Sequence, residues 1–370
     1  MKNCELLTRT ALLPFRPGLL PQTLNLFVTA RCNATCEFCL YKHSVDNPTA
    51  RSAELSVIEY EKLAENYGPL HFLSISGGEP FIREDLAEIC QVFIDRCDVQ
   101  AVDIPSNFSY TSRMVSTLGK LVPANPDVRF ELQLSVDHPD QRHDEIRGIS
   151  GLLDKVIQTL GALEFLRKYD NFKIKGNGLY LDSNADELDE LSSWFEDVAR
   201  CDHFNLSFPQ QLLVPSRDNP EVRNQLEKYI PAVEKILERA EFSSRMDLLT
   251  AAISSSKKLS RKRLMQAASG ERDTGSYCRA GKSIVVIDQE GNVFPCEPLW
   301  ASVGNLRNSG YDLGSILKGK RYREFCNDRL GKGKCNCTWT CAINSSSAIN
   351  VKDAALIGLN ALRSILFGRK

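Results

Sequence analysis

From about residue 22 to residue 210 the chain alternates between two spacings of apolar residues. Short runs with strand character are Leu24–Thr29, Phe72–Ser76, Val99–Ile104, Arg129–Val136, Lys173–Leu181 and Phe204–Phe208. Longer stretches with helical spacing lie between them: Ser56–Asn66, Arg83–Arg96, Ser112–Leu121, Leu152–Tyr169 and Ala185–Arg200. Such alternation predicts parallel strands joined by right-handed helical crossovers. Six units are too few to close an eight-stranded barrel. The expected first domain, residues 22–215, is therefore an α/β, partial (β/α)6 TIM-like barrel behind an N-terminal extension of residues 1–21.

Pro215, Asp218, Asn219 and Pro220 mark a polar linker into a helical bridge, residues 216–275, with helical patterns over Glu221–Glu241 and Asp247–Ala268. The pattern changes again at Gly270–Ser276. Residues 276–350 are rich in Cys and Gly, with short strands expected at Ser283–Ile287 and Asn292–Pro295 around a turn at Asp288–Gly291. They read as a small α+β domain stapled by metal. Residues 351–370 form a broadly apolar C-terminal helix with Leu356, Ile357, Leu359, Leu362, Ile365, Leu366 and Phe367. Its expected role is packing against the barrel, with peripheral membrane contact as the alternative.

Composition narrows the function classes. Lys plus Arg total 46 against 47 for Asp plus Glu, so no general pull toward nucleic acid is expected. The basic run Lys257, Lys258, Arg261, Lys262 and Arg263 reads as a solvated helix face. Residues 1–10 hold Lys2, Glu5 and Arg9 and show no secretory signal. With 13 cysteines and no such signal, a reducing, cytoplasmic setting and metal ligation are expected in place of disulfides. Cys4, Cys90, Cys97 and Cys201 sit singly on apolar patterns and read as core residues.

The chemistry concentrates in the run CNATCEFC, where Cys32, Cys36 and Cys39 directly follow the first strand. Ordinary electron-carrying cubanes are closed by four cysteines. Three thiolates leave one iron open, and an open metal position is where a substrate or cofactor binds. Ser76-Gly77-Gly78-Glu79-Pro80 closes the second strand; its glycines would let backbone amides approach a ligand, and Glu79 could hold an ammonium group. Further polar groups fall at the carboxyl ends of later strands, where the sites of (β/α) folds lie: Ser106 and Asn107, Ser135 and Asp137, then Arg147 in HDEIRG.

The Cys-x3-Cys-x2-Cys loop with GGEP resembles the signature of the radical S-adenosylmethionine enzymes. The resemblance implies a [4Fe-4S] cluster on Cys32, Cys36 and Cys39, and S-adenosylmethionine held by the Ser76–Pro80 turn. It further implies Phe38 beside the adenine, Ser135 and Arg147 as candidates for the methionyl carboxylate, and Asn107 or Asp137 for the ribose. The expected reaction is reductive cleavage to a 5′-deoxyadenosyl radical, which takes hydrogen from a C–H bond. An electron donor such as flavodoxin or ferredoxin would be a partner.

Cys278 and Cys296 flank Gly291, and Cys335, Cys337 and Cys341 follow in CNCTWTC. The first half resembles the SPASM module of the same superfamily. The second half departs from its seven-cysteine pattern toward the shorter Twitch form, which implies one auxiliary [4Fe-4S] cluster. Cys278 and Cys296 with two of Cys335, Cys337 and Cys341 would hold it, Cys337 and Cys341 being preferred; Cys326 is a weak sixth candidate and a zinc ribbon the alternative. Glu297, next to Cys296, matches an acidic residue proposed as proton acceptor in sulfatase-maturing relatives, with a loop-capping role as its alternative. The substrate stays open between a small biosynthetic intermediate and a ribosomally made peptide to be crosslinked, dehydrogenated or epimerised. The short stretch before the first strand leaves little room for a winged-helix leader-binding domain, which tilts toward the small molecule. A non-catalytic cluster-bearing sensor or scaffold is the remaining alternative.

Overall fold

The computed structural model describes residues 20–47, 53–208, 220–242, 248–268, 278–329, 339–348 and 350–367. Cys4, Cys335, Cys337 and most of the expected linker, Pro215 to Asn219, lie outside the described residues. Six strands appear in the expected order: β1 Thr23–Phe27, β2 Phe72–Ser76, β3 Ala101–Ser106, β4 Arg129–Ser135, β5 Phe172–Leu179 and β6 His203–Ser207. Each is parallel to the next. Helices α1 Val57–Glu65, α2 Leu86–Cys97, α3 Thr111–Ala124 and α4 Leu152–Leu163 fill the crossovers. The start of α1 is set by its sequence: Ser56 and Glu59 form a reciprocal cap, each side chain accepting the other's backbone N–H.

One face of every strand is apolar and covered by helices. Leu73, Ile75, Val102, Leu132, Leu134 and Ile174 are fully or almost fully buried there. A Cβ on Gly176 would stand 2.4 Å from the Phe195 ring, so only glycine lets this strand and helix approach so closely. The opposite face alternates in polar residues: Asn25, Ser74, Asp103, Glu131, Lys175, Asn177 and Asn205. A parallel sheet buried on both faces reads as continuous apolar runs. The alternation marks an inner face kept for polar ligands.

Two helices differ from expectation. The stretch expected as one helix to Tyr169 changes at Leu163 into a tighter 3-10 turn, Glu164–Lys168, which buries Leu166 and brings Arg167 to the Ala199 carbonyl at 3.1 Å. After β5, a short helix Leu188–Ser193 widens into a π turn, Trp194–Val198, and so places both Trp194 and Phe195 against the sheet.

The Cys-rich region does not stand apart from the barrel. Its strand β7, Ile284–Ile287, pairs in parallel with β1; β8 Asn292–Phe294 and β9 Gly304–Asn305 add antiparallel hairpins. The described strands thus form one sheet in the order β6-β5-β4-β3-β2-β1-β7-β8-β9. The expected turn at Asp288–Gly291 closes the β7–β8 hairpin, with Gly291 at φ 83° and its N–H on the Asp288 carbonyl.

The remaining long helices are α5 Pro220–Phe242, α6 Leu248–Ala268, α7 Lys320–Arg329, α8 Thr340–Ala348 and α9 Val351–Phe367. The C-terminal helix α9 packs chiefly on α6 and α8. Buried Arg263 of α6 pairs with Asp353 and donates to Ser347 Oγ at 2.8 Å, so the basic run is not wholly a solvated face. Leu356, Leu359 and Leu362 stay about half exposed. Among the described residues no helix is long and apolar enough to cross a membrane.

Candidate functional site

The Cys32–Cys39 loop leaves the carboxyl end of β1 and is pinned from two sides. On one side lies the Ser76–Pro80 turn. Gly78 N–H and Glu79 N–H donate to the carbonyls of Thr29 and Arg31, both at 2.8 Å. A Cβ on Gly77 would lie 2.3 Å from Thr29 O, and one on Gly78 would lie 2.1 Å from Arg31 O. The two glycines therefore serve the approach of this turn to the backbone that enters the cysteine loop. The Gly78 amide is spent on this approach, bonded to the Thr29 carbonyl.

Glu79 is buried, and its carboxylate accepts Ser106 Oγ at 2.9 Å, Asn107 N–H at 2.8 Å and Phe81 N–H at 3.2 Å. Burial pushes its pKa up to about 7, and the hydrogen bonds from Asn107, Phe81 and Ser106 oppose that shift. A carboxylate with three internal donors is a brace between the ends of β2 and β3. Pro80 opens a short 3-10 turn capped by that same carboxylate.

On the other side lies the segment 137–148. Thr35 N–H donates to the Arg147 carbonyl at 2.9 Å, and Gly148, at φ 67°, leaves no space for a Cβ beside Thr35 Oγ1. The Arg147 guanidinium grips Asp137 Oδ2 through Nε at 2.9 Å and Nη2 at 2.6 Å. It also covers the Phe38 ring at 5.2 Å and interacts with Cys36. Asp137 has no exposed surface, and its other oxygen accepts Leu179 N–H at 3.0 Å. Buried His143, with its pKa pushed down to about 4 mainly by burial, touches the same network.

The two ribose candidates, Asp137 and Asn107, both lie in buried hydrogen-bond networks. Asp137 is wholly committed to Arg147 and β5. Asn107 is also buried, and its side chain bonds Asn33 at 3.0 Å and Ser109 Oγ at 2.6 Å. Ser76 and Ser135, by contrast, end β2 and β4 half-buried on the inner face.

The three thiols lie within electrostatic reach of one another. Burial raises Cys32 to about 12 and raises Cys36 and Cys39 as well; the charge of neighbouring cysteines adds to the shifts of Cys32 and Cys39, and that of Asp137 to the shift of Cys36. Three thiolates so placed need compensating positive charge. Arg147 supplies part of it at Cys36, and Ala34 N–H donates to Cys32 Sγ at 3.4 Å. This donor set fits an iron–sulfur cluster, whose thiolates the metal itself neutralises.

Below the loop, Cys278 and Cys296 are buried close to β7 and β8. Cys341, in the first turn of α8, is exposed and has Glu297, Lys175 and Asp103 within electrostatic range. Glu297 is buried, its pKa is pushed up to about 7 by burial, and it accepts a hydrogen bond from Asn25 Nδ2 at 3.1 Å. A surface loop-capping role for Glu297 is thereby ruled out. Cys90 and Cys97 are core residues, as their patterns suggest, and Cys201 is half-buried.

Sequence reasoning passed over two groups. The inner-face row Asn25, Ser74, Asp103 and Glu131, with Lys175 bonded to Asp103 at 3.1 Å, was visible only as polar residues at alternate strand positions. The second is the aromatic packing of Phe27, Tyr41, Trp300 and Phe294, with ring centroids 4.6 to 5.2 Å apart. It joins the cysteine loop to the segment after Cys296. Trp300 takes φ 41° there, a conformation that bulky residues rarely adopt.

Comparison with known proteins agrees with this layout. Residues 26–194 match the model of the radical SAM superfamily, and residues 278–342 match the SPASM model, an iron–sulfur cluster-binding domain. The chain belongs to the radical SAM superfamily and carries a C-terminal SPASM domain. The cofactors of that family are a [4Fe-4S] cluster with S-adenosylmethionine, and auxiliary iron–sulfur centres in the SPASM domain.

Among curated proteins it is similar to a GTP 3′,8-cyclase of Limosilactobacillus fermentum, 29% identical over 180 residues, covering 47% of this chain and 50% of that one. It is also similar to the sporulation killing factor maturation protein SkfB of Bacillus subtilis, 26% identical over 173 residues, covering 46% of this chain and 39% of that one. The chain spans about half the length, or less, of these relatives. Among solved structures, Streptococcus suis SuiB bound to its precursor peptide SuiA superposes with TM-score 0.57 at 16% identity, covering 86% of this chain and 71% of that one. The anSMEcpe structure with bound AdoMet gives 0.58 at 14% identity, covering 82% of each. At these identities the likeness shows the fold.

Proposed function

We propose that this chain is a radical S-adenosylmethionine enzyme that takes a hydrogen atom from a C–H bond of a polar substrate held against the inner face of the barrel, in a net oxidation. Cys32, Cys36 and Cys39 would hold the radical-generating cluster. Ser76 and Ser135, with the backbone of the Ser76–Pro80 turn, would hold the methionyl tail, and Phe38, fixed under Arg147, would flank the adenine. When bound, the cluster and S-adenosylmethionine supply the 5′-deoxyadenosyl radical. The protein's own residues position the substrate, exclude water and take up a proton. The observation that carries the reading is the buried Asn25–Glu297 bond. It fixes a carboxylate of the SPASM region on the inner face of the barrel, where it can accept the proton that a substrate radical loses as it is oxidised.

Cys278, Cys296 and Cys341, with one of Cys335 and Cys337, would hold one auxiliary cluster. A peptide side chain is the substrate we favour. SuiB, bound to a precursor peptide, and the maturation protein SkfB are among the relatives, and the row of amide, hydroxyl and charged groups on the inner face suits a polar peptide segment. The likeness to GTP 3′,8-cyclases supports a second reading, a small intermediate. The test is deuterium transfer into 5′-deoxyadenosine after anaerobic reconstitution and dithionite reduction. Transfer from a deuterated peptide encoded beside this gene would establish the first reading, and transfer from a small metabolite the second. Absence of any S-adenosylmethionine binding would favour the scaffold alternative.

A further inference from the structure

The inner face of the barrel holds a charged pair that fold stability does not explain. Lys175 on β5 reaches across β4 to Asp103 on β3, its Nζ 3.1 Å from Oδ1, and lies 3.9 Å from Glu131 Oε2. Asp103 and Glu131 are buried, and the Lys175 side chain is only 18% exposed. Desolvating such charges commonly costs as much as it returns, and well-packed apolar side chains would serve stability as well or better. The pair is also half used. An ammonium has three N–H donors and a carboxylate two acceptor oxygens. Among the described residues Lys175 makes one hydrogen bond, and Asp103 accepts it on Oδ1 alone. Glu131 is taken by Arg129 on its own strand.

Two adjacent, half-filled groups of opposite charge select by charge and by shape. Lys175 and Asp103 neutralise each other, so an ion placed beside them would meet a like charge and bring its own desolvation cost. A neutral group with a donor and an acceptor side by side fits both. The trans peptide bond points its N–H and C=O in opposite directions. A primary carboxamide carries the two on one edge. We infer that Lys175 and Asp103 form a subsite for a carboxamide side chain, Asn or Gln, of a peptide substrate. Lys175 Nζ donates to the amide oxygen, and Asp103 Oδ2 accepts from the amide nitrogen. This deepens the proposed function and rests on it for the inner face as the seat of the substrate. Register sets the subsite's distance from Glu297. Asn25, Ser74 and Asp103 are lateral neighbours across β1, β2 and β3, and Asn25 holds Glu297. Two strand spacings are about 10 Å, which an extended peptide covers in about three residues. The reacting residue therefore lies about three positions from the carboxamide.

The test equilibrates a pool of synthetic dodecapeptides of randomised sequence with the immobilised, reconstituted full chain and S-adenosylmethionine, and reads the retained peptides by mass spectrometry. The unsubstituted protein should enrich Asn and Gln over Asp, Glu and Lys by about tenfold at one position, the worth of a hydrogen bond to a charged group. Asp103→Asn leaves the ammonium without its partner and should shift the choice to Asp and Glu. Lys175→Met leaves the carboxylates without theirs and should shift it to Lys and Arg. No carboxamide enrichment by the unsubstituted protein, or the same choice in it and in both variants, would overturn the inference. If Lys175→Met fails to retain iron, the Asp103→Asn shift decides. Deuterium transfer into 5′-deoxyadenosine reads the proposed function separately. Carboxamide selection without transfer from any peptide or metabolite would keep the subsite and remove the reaction, and transfer without carboxamide selection would do the reverse.

Discussion

Asn25, at the middle of the first barrel strand, donates a 3.1 Å hydrogen bond to Glu297, one residue after Cys296, and both side chains are buried. The first strand thus meets the SPASM region twice. Its backbone pairs with β7, and its one inward amide holds that region's carboxylate. The continuous sheet makes the auxiliary region a wall of the site, which a separately tethered domain could not be.

Glu297→Gln should keep the fold, because the amide can still accept from Asn25. It should lower product formation by about two to four orders of magnitude, the usual worth of a positioned acid–base group. Cleavage of S-adenosylmethionine to 5′-deoxyadenosine should persist. Measuring both products in the same reaction separates the two, and full product formation in the variant would remove Glu297 from the mechanism.

Glu79→Gln should be damaging despite its small change in shape. The buried carboxylate accepts from Ser106, Asn107 and Phe81, and an amide must turn one NH2 group toward a donor. A loss of about 2 kcal/mol is expected, with weaker cluster assembly. Gly78→Ala should cost about 1–3 kcal/mol by pushing Arg31 and the cysteine loop aside. Chemical denaturation of the variants, with iron content measured in parallel, checks both.

Asp137→Asn leaves the Arg147 guanidinium without its buried counter-charge. A loss of about 3–5 kcal/mol is expected. Because Arg147 also holds Phe38 and Thr35, the cysteine loop should open to proteolysis before the rest of the chain does. Limited proteolysis with mass mapping reads this directly.

The join between barrel and SPASM region should weaken in acid. Hydrogen bonds from Arg307 first, then from the Ser56 backbone and Tyr311, hold the Glu59 carboxyl down to about 2 from an ordinary 4.5. A depressed carboxyl stabilises the fold above its unfolded value and loses that contribution as pH falls. The loss belongs between pH 4.5 and about 2. The pair is partly exposed, so Glu59→Gln should cost only about 1 kcal/mol at neutral pH. Thermal melts across pH should show a smaller acid-dependent decline in the variant.

Much of this was legible beforehand, for physical reasons. The strands of the barrel and the cysteine loop are local signals, set by period and spacing over fewer than ten residues each. The partners of Asp137 and Asn107 were not legible. Both occupy strand ends, where a polar residue can face a ligand or a neighbouring loop, and only the tertiary contacts with Arg147 and Asn33 decide. The glycines of the turn were found, but their purpose is a long-range approach to Thr29 and Arg31. Asp103 and Lys175 showed as strand alternation, and their pairing across β4 depends on register that sequence does not state.

The most direct test of the central claim is anaerobic reconstitution, with iron and sulfide counted before and after replacing Cys32, Cys36 and Cys39 by Ala, and 5′-deoxyadenosine assayed after reduction. Two cubanes predict about eight irons falling to about four, with cleavage abolished. Cleavage that survives in the triple variant, or no cleavage by the fully loaded wild-type protein under any reductant, would contradict the account.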